Sequence, residues 1–171
     1  NLLSAELSRV NLTNDLLQHA GTLDALGSVA YHLDLSRNGL TELRSSQQRM
    51  FSAYLKSLNL SANRIEWIEE GALGNIGYQL QTLDLSHNRL RAVFDACALF
   101  RKENVYFARV YLAGNGQLES VHLLVESQRN LRELSAAENR LSAVPPLSPD
   151  IILSLVDVDL SANRIRAIEP G

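Results

Sequence analysis

The sequence predicts an α/β solenoid, a single array in which short strands stack in parallel and are joined by partly helical, partly irregular segments. Three observations predict it. One spelling recurs in register along nearly all of the 171 residues. Within it, apolar residues alternate with polar ones over a few positions, which suits a strand with one buried face. An asparagine follows at a fixed distance, where the chain has to leave the strand and turn inward.

The clearest copy is Leu80-Gln-Thr-Leu83-Asp-Leu85-Ser-His-Asn88-Arg-Leu90. It returns at Leu55 (Leu58, Leu60, Asn63, Ile65) and at Leu155 (Val158, Leu160, Asn163, Ile165). Looser copies begin at Ala30 (Leu33, Leu35, Asn38, Leu40), Phe107 (Val110, Leu112, Asn115, Leu118) and Leu131 (Leu134, Ala136, Asn139, Leu141). A degraded copy is read from Leu7 (Val10, Leu12, Leu17), with Asp15 in the asparagine's place. The expected array of about seven units therefore starts near residues 7, 30, 55, 80, 107, 131 and 155 and runs over 1–171. No strand of this length is stable alone, but parallel stacking pairs the backbones and fuses the leucines into one core. The turn after each strand buries backbone groups without ladder partners. A primary amide both donates and accepts, so asparagine satisfies them, whereas an ionised aspartate cannot donate.

Between strands, Val93, Cys97 and Phe100 recur at helical steps within Arg91–Tyr106, and Val121, Leu124 and Val125 do so within Glu119–Arg129. Ala143–Asp150 holds Pro145, Pro146 and Pro149 and is expected to be non-helical. Gly114-Asn115-Gly116-Gln117 carries one residue more than the other turns, and Ala136 replaces a core leucine. The lone cysteine, Cys97, reads as a buried apolar thiol.

These units resemble the leucine-rich-repeat family, whose pattern is L-x-x-L-x-L-x-x-N-x-L. Ile65-Glu-Trp-Ile68-Glu-Glu-Gly71-Ala72-Leu73-Gly-Asn-Ile76 follows the second half of the extracellular animal type, as in Toll-like receptors, chaoptin-like adhesion proteins and small proteoglycans. Ile165-Arg-Ala-Ile168-Glu-Pro-Gly171 begins the same pattern. The resemblance implies a right-handed superhelical horseshoe with a concave parallel β-sheet and a mixed convex side. It also implies a structural ladder of Asn38, Asn63, Asn88, Asn115, Asn139 and Asn163. Asn1–Glu6 reads as the tail of an earlier unit and neither end as a polar cap, so an uncapped fragment of a larger protein is expected.

The outward strand positions align as columns on the concave face. One column reads Asn11, Asp34, Asn59, Asp84, Tyr111, Ser135, Asp159 and another Arg9, His32, Ser57, Thr82, Arg109, Glu133, Asp157. Beyond the asparagines lies a row of Arg64, Arg89, Arg140 and Arg164. Much of this is common consensus filler. Tyr31, His32 and Tyr111 depart from it, and an exposed aromatic on a rigid strand can anchor a partner. The candidate partner-binding residues are therefore Tyr31, His32, Asp34, Asn59, Asp84, Arg109, Tyr111 and Glu133. Trp67 is expected to pack rather than to contact a ligand. The sequons Asn11-Leu12-Thr13 and Asn59-Leu60-Ser61 make Asn11 and Asn59 candidate N-glycosylation sites, both expected on the concave face.

Catalysis, cofactors and bound metal are not expected. No Gly-rich phosphate loop or H-E-x-x-H occurs, and His32 and His87 are two repeats apart, too far to share a zinc ion directly. A net charge of -3 gives no basic field for nucleic acid, and no apolar run approaches the ~20 residues of a membrane span. The expected function is a protein-binding scaffold in a cell-surface receptor or adhesion-protein ectodomain. It would take a protein ligand or a homophilic partner, in a parent that membrane anchoring would suit. The competing readings are a cytoplasmic adaptor or regulatory scaffold and a structural spacer in a matrix protein.

Overall fold

A computed structural model describes residues 4–19, 29–76, 79–92, 107–126, 128–147 and 149–166. Its elements are β1 (Ser4–Glu6), α1 (Asn14–His19), β2 (His32–Asp34), β3 (Glu42–Leu43), a 3-10 turn (Ser45–Met50), β4 (Ser57–Asn59), β5 (Trp67–Ile68), β6 (Thr82–Asp84), β7 (Arg109–Tyr111), α2 (His122–Glu126), β8 (Glu133–Ser135), α3 (Pro149–Ser154) and β9 (Asp157–Asp159). Seven strands form one parallel sheet in the order β1-β2-β4-β6-β7-β8-β9. β3 and β5 form a second, two-stranded parallel sheet.

In the large sheet the register is one-to-one. Leu58 lies between Leu33 and Leu83, and Leu83 beside Val110. The middle residue of each of the first six strands is buried and its neighbours face outward. The second leucine of each unit (Leu35, Leu60, Leu85, Leu112) and the one after the asparagine (Leu40, Ile65, Leu90, Leu118) complete a continuous core. Phe51, Ile68, Leu73, Ile76, Val121, Leu124 and Ile151 close it from the far side.

The six asparagines do the work that their chemistry suggests. Asn63 Nδ2 donates to the carbonyls of Leu60 and, one unit earlier, Leu35, both at 3.0 Å. Its Oδ1 accepts the Leu40 N–H at 3.1 Å. Asn38, Asn88, Asn115 and Asn163 repeat this reach into the preceding turn. Asn139 donates to Leu112, Ala136 and Ala137, but its buried Oδ1 has no partner among the described residues. The cause is the extra residue after Asn115: elsewhere the accepted N–H sits two residues after an asparagine, and here Gly116-Gln117 moves Leu118 out of step.

Just before each ladder position the backbone is left-handed. Arg37, Ala62, His87, Glu138 and Ala162 have φ of 52–56°, and Gly114 has φ 69°. Only at Gly114 is this conformation free of a Cβ penalty.

The first unit is displaced from its expected place. The sequence reading starts it near residue 7, with Arg9 and Asn11 on the strand. The structure instead pairs Ser4, Ala5 and Glu6 with His32, Leu33 and Asp34, so Ser4–Glu6, expected in the tail of an earlier unit, is the first strand of the sheet. Val10 then takes the ladder position, and Asp15 lies in the first turn of α1. Val10 carries no amide, and Asn38 of the next unit covers the turn by accepting both the Val10 and Leu12 N–H groups.

On the convex side α2 covers Leu124 and Val125 of the expected helical stretch, and Val121 directly precedes it. Ala143–Leu147 is non-helical, but the non-helical expectation fails at Pro149 and Asp150, which open α3. Proline is tolerated there because the first helical N–H needs no intrahelical acceptor. Of the helix expected within Arg91–Tyr106, residues 93–106, Cys97 among them, lie outside the described residues, as does the final 167–171 stretch.

Candidate functional site

Parallel register builds the concave face. Ser4, His32, Ser57, Thr82, Arg109, Glu133 and Asp157 form one column, and Glu6, Asp34, Asn59, Asp84, Tyr111, Ser135 and Asp159 the next. Two positions correct the sequence reading: Ser4 and Glu6 replace Arg9 and Asn11 at the first strand.

The second column divides by role. Asp34 Oδ1 accepts the Ser36 N–H at 2.8 Å, Asn59 Oδ1 that of Ser61 at 3.0 Å, Asp84 Oδ1 that of Ser86 at 2.9 Å, and Asp159 Oδ1 that of Ser161 at 2.9 Å. These are Asx turns, in which the side chain caps the backbone two residues on as the strand ends. Asn59 Nδ2 also donates to Asp34 Oδ2 at 3.2 Å. Asp34, Asn59 and Asp84, singled out as partner contacts, are therefore also fastened into turn structure. The recurring Asx-Leu-Ser at 34–36, 59–61, 84–86 and 159–161 was the available signal.

At β7 and β8 the column changes character. Tyr111 has no such turn to make, and its hydroxyl donates to Glu133 Oε2 at 2.6 Å. Arg109 Nε donates to Glu133 Oε1 at 3.0 Å. One carboxylate thus holds a phenol and a guanidinium from the adjacent strand. The Tyr111 hydrogen bond, then that from Arg109, keeps the Glu133 carboxyl below the ordinary carboxylate range. That same bond, with partial burial and the nearby negative charge, pushes the Tyr111 phenol up to about 12. The cluster is thus intact above the ordinary glutamate range and is lost as pH falls through the lowered Glu133 value. At the alkaline end it persists beyond the ordinary tyrosine range and fails as pH rises through about 12. In Tyr111→Phe, Glu133 is expected to titrate at higher pH, measured from its carboxyl carbon chemical shift. An unchanged titration would show that the phenol does not hold the carboxylate.

A second cluster sits at the margin of the sheet. Tyr31 precedes β2, its ring 6.5 Å from that of Tyr54, and Lys56 Nζ lies 5.4 Å from the Tyr31 ring centroid. Tyr54 is 59% exposed, and neither it nor Lys56 was singled out from sequence. His32 is exposed beside this group. On the flank, Trp67 is 44% exposed with Arg44 5.9 Å above its ring, so it packs against a cation while leaving a face open.

The two sequons differ in setting. Asn59 is on the concave sheet with its amide engaged. Asn11, expected there too, lies instead in an exposed turn with φ 59°. Among the described residues no group of three or more His, Cys, Asp or Glu side chains could hold a metal ion, and no helix is long and apolar enough to cross a membrane.

Residues 53–99 match the leucine rich repeat family profile. Over 135 residues, 78% of the chain, the sequence is 26% identical to the leucine-rich repeat-containing G-protein coupled receptor 5 of Rattus norvegicus. Over 140 residues, 82% of the chain, it is 28% identical to the oligodendrocyte-myelin glycoprotein of Homo sapiens. The chain spans 14% and 29% of the lengths of these two relatives. Among solved structures, a TLR13–ssRNA13 complex superposes with a TM-score of 0.68 at 19% identity, covering 82% of this chain and 19% of that one. At that identity the likeness concerns the fold.

Proposed function

The chain belongs to the leucine-rich-repeat proteins, and from that premise we propose that it is a protein-binding segment of an extracellular or cell-surface receptor or adhesion protein, engaging its partner through the concave sheet. The observation that carries this reading is the Arg109–Glu133–Tyr111 cluster. Most of the second column is occupied with its own turns, but here an aromatic ring and two opposite charges are held in fixed positions on a rigid sheet. Their rotamers are ordered before a partner arrives, so binding loses less side-chain entropy. Tyrosine and arginine are also the residue types most often found to dominate interfaces. Tyr31, His32, Tyr54 and Lys56 extend the contact surface along the sheet margin, while Asp34, Asn59 and Asp84 offer their remaining lone pairs and N–H groups.

The names of the curated relatives, a receptor and a glycoprotein, support the cell-surface placement over a cytoplasmic adaptor. A sugar on Asn59 would displace an engaged amide.

The reading is tested by screening the chain against cell-surface ectodomains and against itself. For any partner found, Tyr111→Ala and Glu133→Ala should each weaken binding by about 10-fold or more, whereas Arg129→Ala on the convex side should leave it unchanged. Absence of a partner, or equal effects at the two faces, would reject the concave site.

A further inference from the structure

Away from the concave cluster, the turns of the first three units carry a concentration of positive charge that the net charge of -3 conceals. Arg9, Asn11, Thr13, Arg37, Gly39 and Arg64 line one shallow, open cleft at the margin of the sheet. Arg9 and Arg37 occupy the left-handed position just before the ladder residue in consecutive units, at φ 57° and 56°. Arg64 follows the ladder Asn63 in the third unit. Consecutive strands of one sheet lie about 4.8 Å apart, so the three side chains leave adjacent rungs on the same side.

All three arginines are exposed, and among the described residues none has a carboxylate within ion-pair distance. Farther along the same edge, acidic side chains stand among the arginines. Arg89 approaches Glu66, which also faces Arg91, and Glu138 occupies the pre-ladder position of the sixth unit, two residues from Arg140. Three uncompensated guanidiniums on neighbouring rungs repel one another, and an anion relieves that repulsion.

We propose that this cleft is a binding site for a sulfated polysaccharide. The guanidinium fork pairs with sulfate through parallel N–H···O bonds. The other polar groups of the cleft, the Asn11 amide and the Thr13 hydroxyl, suit a hydroxyl-rich chain. No aromatic side chain lines the cleft, so nucleobases would have nothing to stack on. No large apolar side chain lines it either, so an acidic peptide would find no anchor. The spacing of the charges along successive turns fits a linear ligand lying across the rungs. This surface is distinct from the Arg109–Glu133–Tyr111 cluster and stands whether or not a protein binds there.

The test uses the chain produced in bacteria, because a glycan on Asn11 would cover the cleft. Binding is measured to immobilised heparin, to fully desulfated heparin, to phosphatidylserine vesicles and to single-stranded RNA, at several salt concentrations. The variant is Arg9→Asn/Arg37→Asn/Arg64→Gln, since asparagine accepts the left-handed backbone. The control is Arg140→Gln/Arg164→Gln on the same edge. The proposal expects binding to heparin that weakens with salt, no binding to the desulfated form, and a loss of about 10-fold or more in the triple variant only. Because all five substituted sites are exposed, an unchanged melting curve separates this loss from unfolding; if the triple variant melts early, Arg64→Glu alone must give the loss. Equal heparin binding by the triple variant and the control, binding without sulfate, or tighter binding to vesicles or RNA than to heparin would each overturn it.

Discussion

Replacing Asn88 with leucine is expected to lower the free energy of unfolding by about 1–3 kcal/mol, read from a urea titration. Asn88 is buried and accepts the Ile65 N–H at 2.9 Å, while donating to the carbonyls of Leu60, Leu85 and Ser86 at 3.0–3.2 Å. Leucine has a similar volume but supplies none of these bonds. The loss is bounded because neighbouring rungs share the load. Leu60 O keeps the donor from Asn63, and Leu85 O that from Asn115. Ser86 O keeps the Ala62 N–H at 2.9 Å. What is stranded is the buried Ile65 N–H. The same change at Asn139, whose Oδ1 has no partner among the described residues, should be milder because no N–H is orphaned. Equal losses at the two positions would refute this accounting of the ladder. Asn88→Asp adds a pH signature. An ionised carboxylate cannot donate to three carbonyls, so burial there must raise its folded pKa above the ordinary value of about 3.9. Its stability deficit is therefore small below that ordinary value and grows as pH rises through the raised one.

Phe51→Ala is expected to be the most damaging single truncation, by about 3–5 kcal/mol. Phe51 follows the 3-10 turn and is among the largest fully buried side chains, closing the core behind β2 and β4. Removing its ring leaves a void between units whose backbones are fixed by ladder hydrogen bonds on both sides, so collapse into it is restricted. Trp67→Ala removes a larger aromatic but one that is 44% exposed and packed on Arg44, and its effect should be a fraction of that. A Trp67 loss equal to that at Phe51 would mean that the flank, not the interior, carries the stability.

The strands of units two to seven and their asparagines were legible from sequence because each consensus position has its own physical demand. The first unit was not, and the reason is specific. Leucines at 2, 7, 12 and 17 recur every five residues, which is the spacing between three of the consensus positions. Two registers therefore fit equally well by leucine alone, and the asparagine that would have chosen between them is replaced by Val10. The candidate face was legible as columns, since period-two alternation and stacking fix them. Which members of a column are tied up in Asx turns was signalled only by the serine two residues on, and aspartate between two leucines taken alone reads identically as a ligand contact or a turn cap. The pairing of Tyr111 with Glu133 runs diagonally between strands, 22 residues apart, and periodicity carries no sign of it. The Tyr31–Tyr54–Lys56 group and the Arg9–Arg37–Arg64 cleft likewise join residues from different parts of successive units.

Each ladder amide completes its own turn and the one before it. Asn63 holds Leu40, and Asn88 holds Ile65. During synthesis on the ribosome, a unit that has just emerged therefore cannot close until its successor follows. Leu58 and Leu83 stand 25 residues apart, which at about 5–20 residues per second is a delay of roughly one to five seconds. Folding of this chain thus trails translation by about one unit, and the order of closure is written into the direction in which the amides reach.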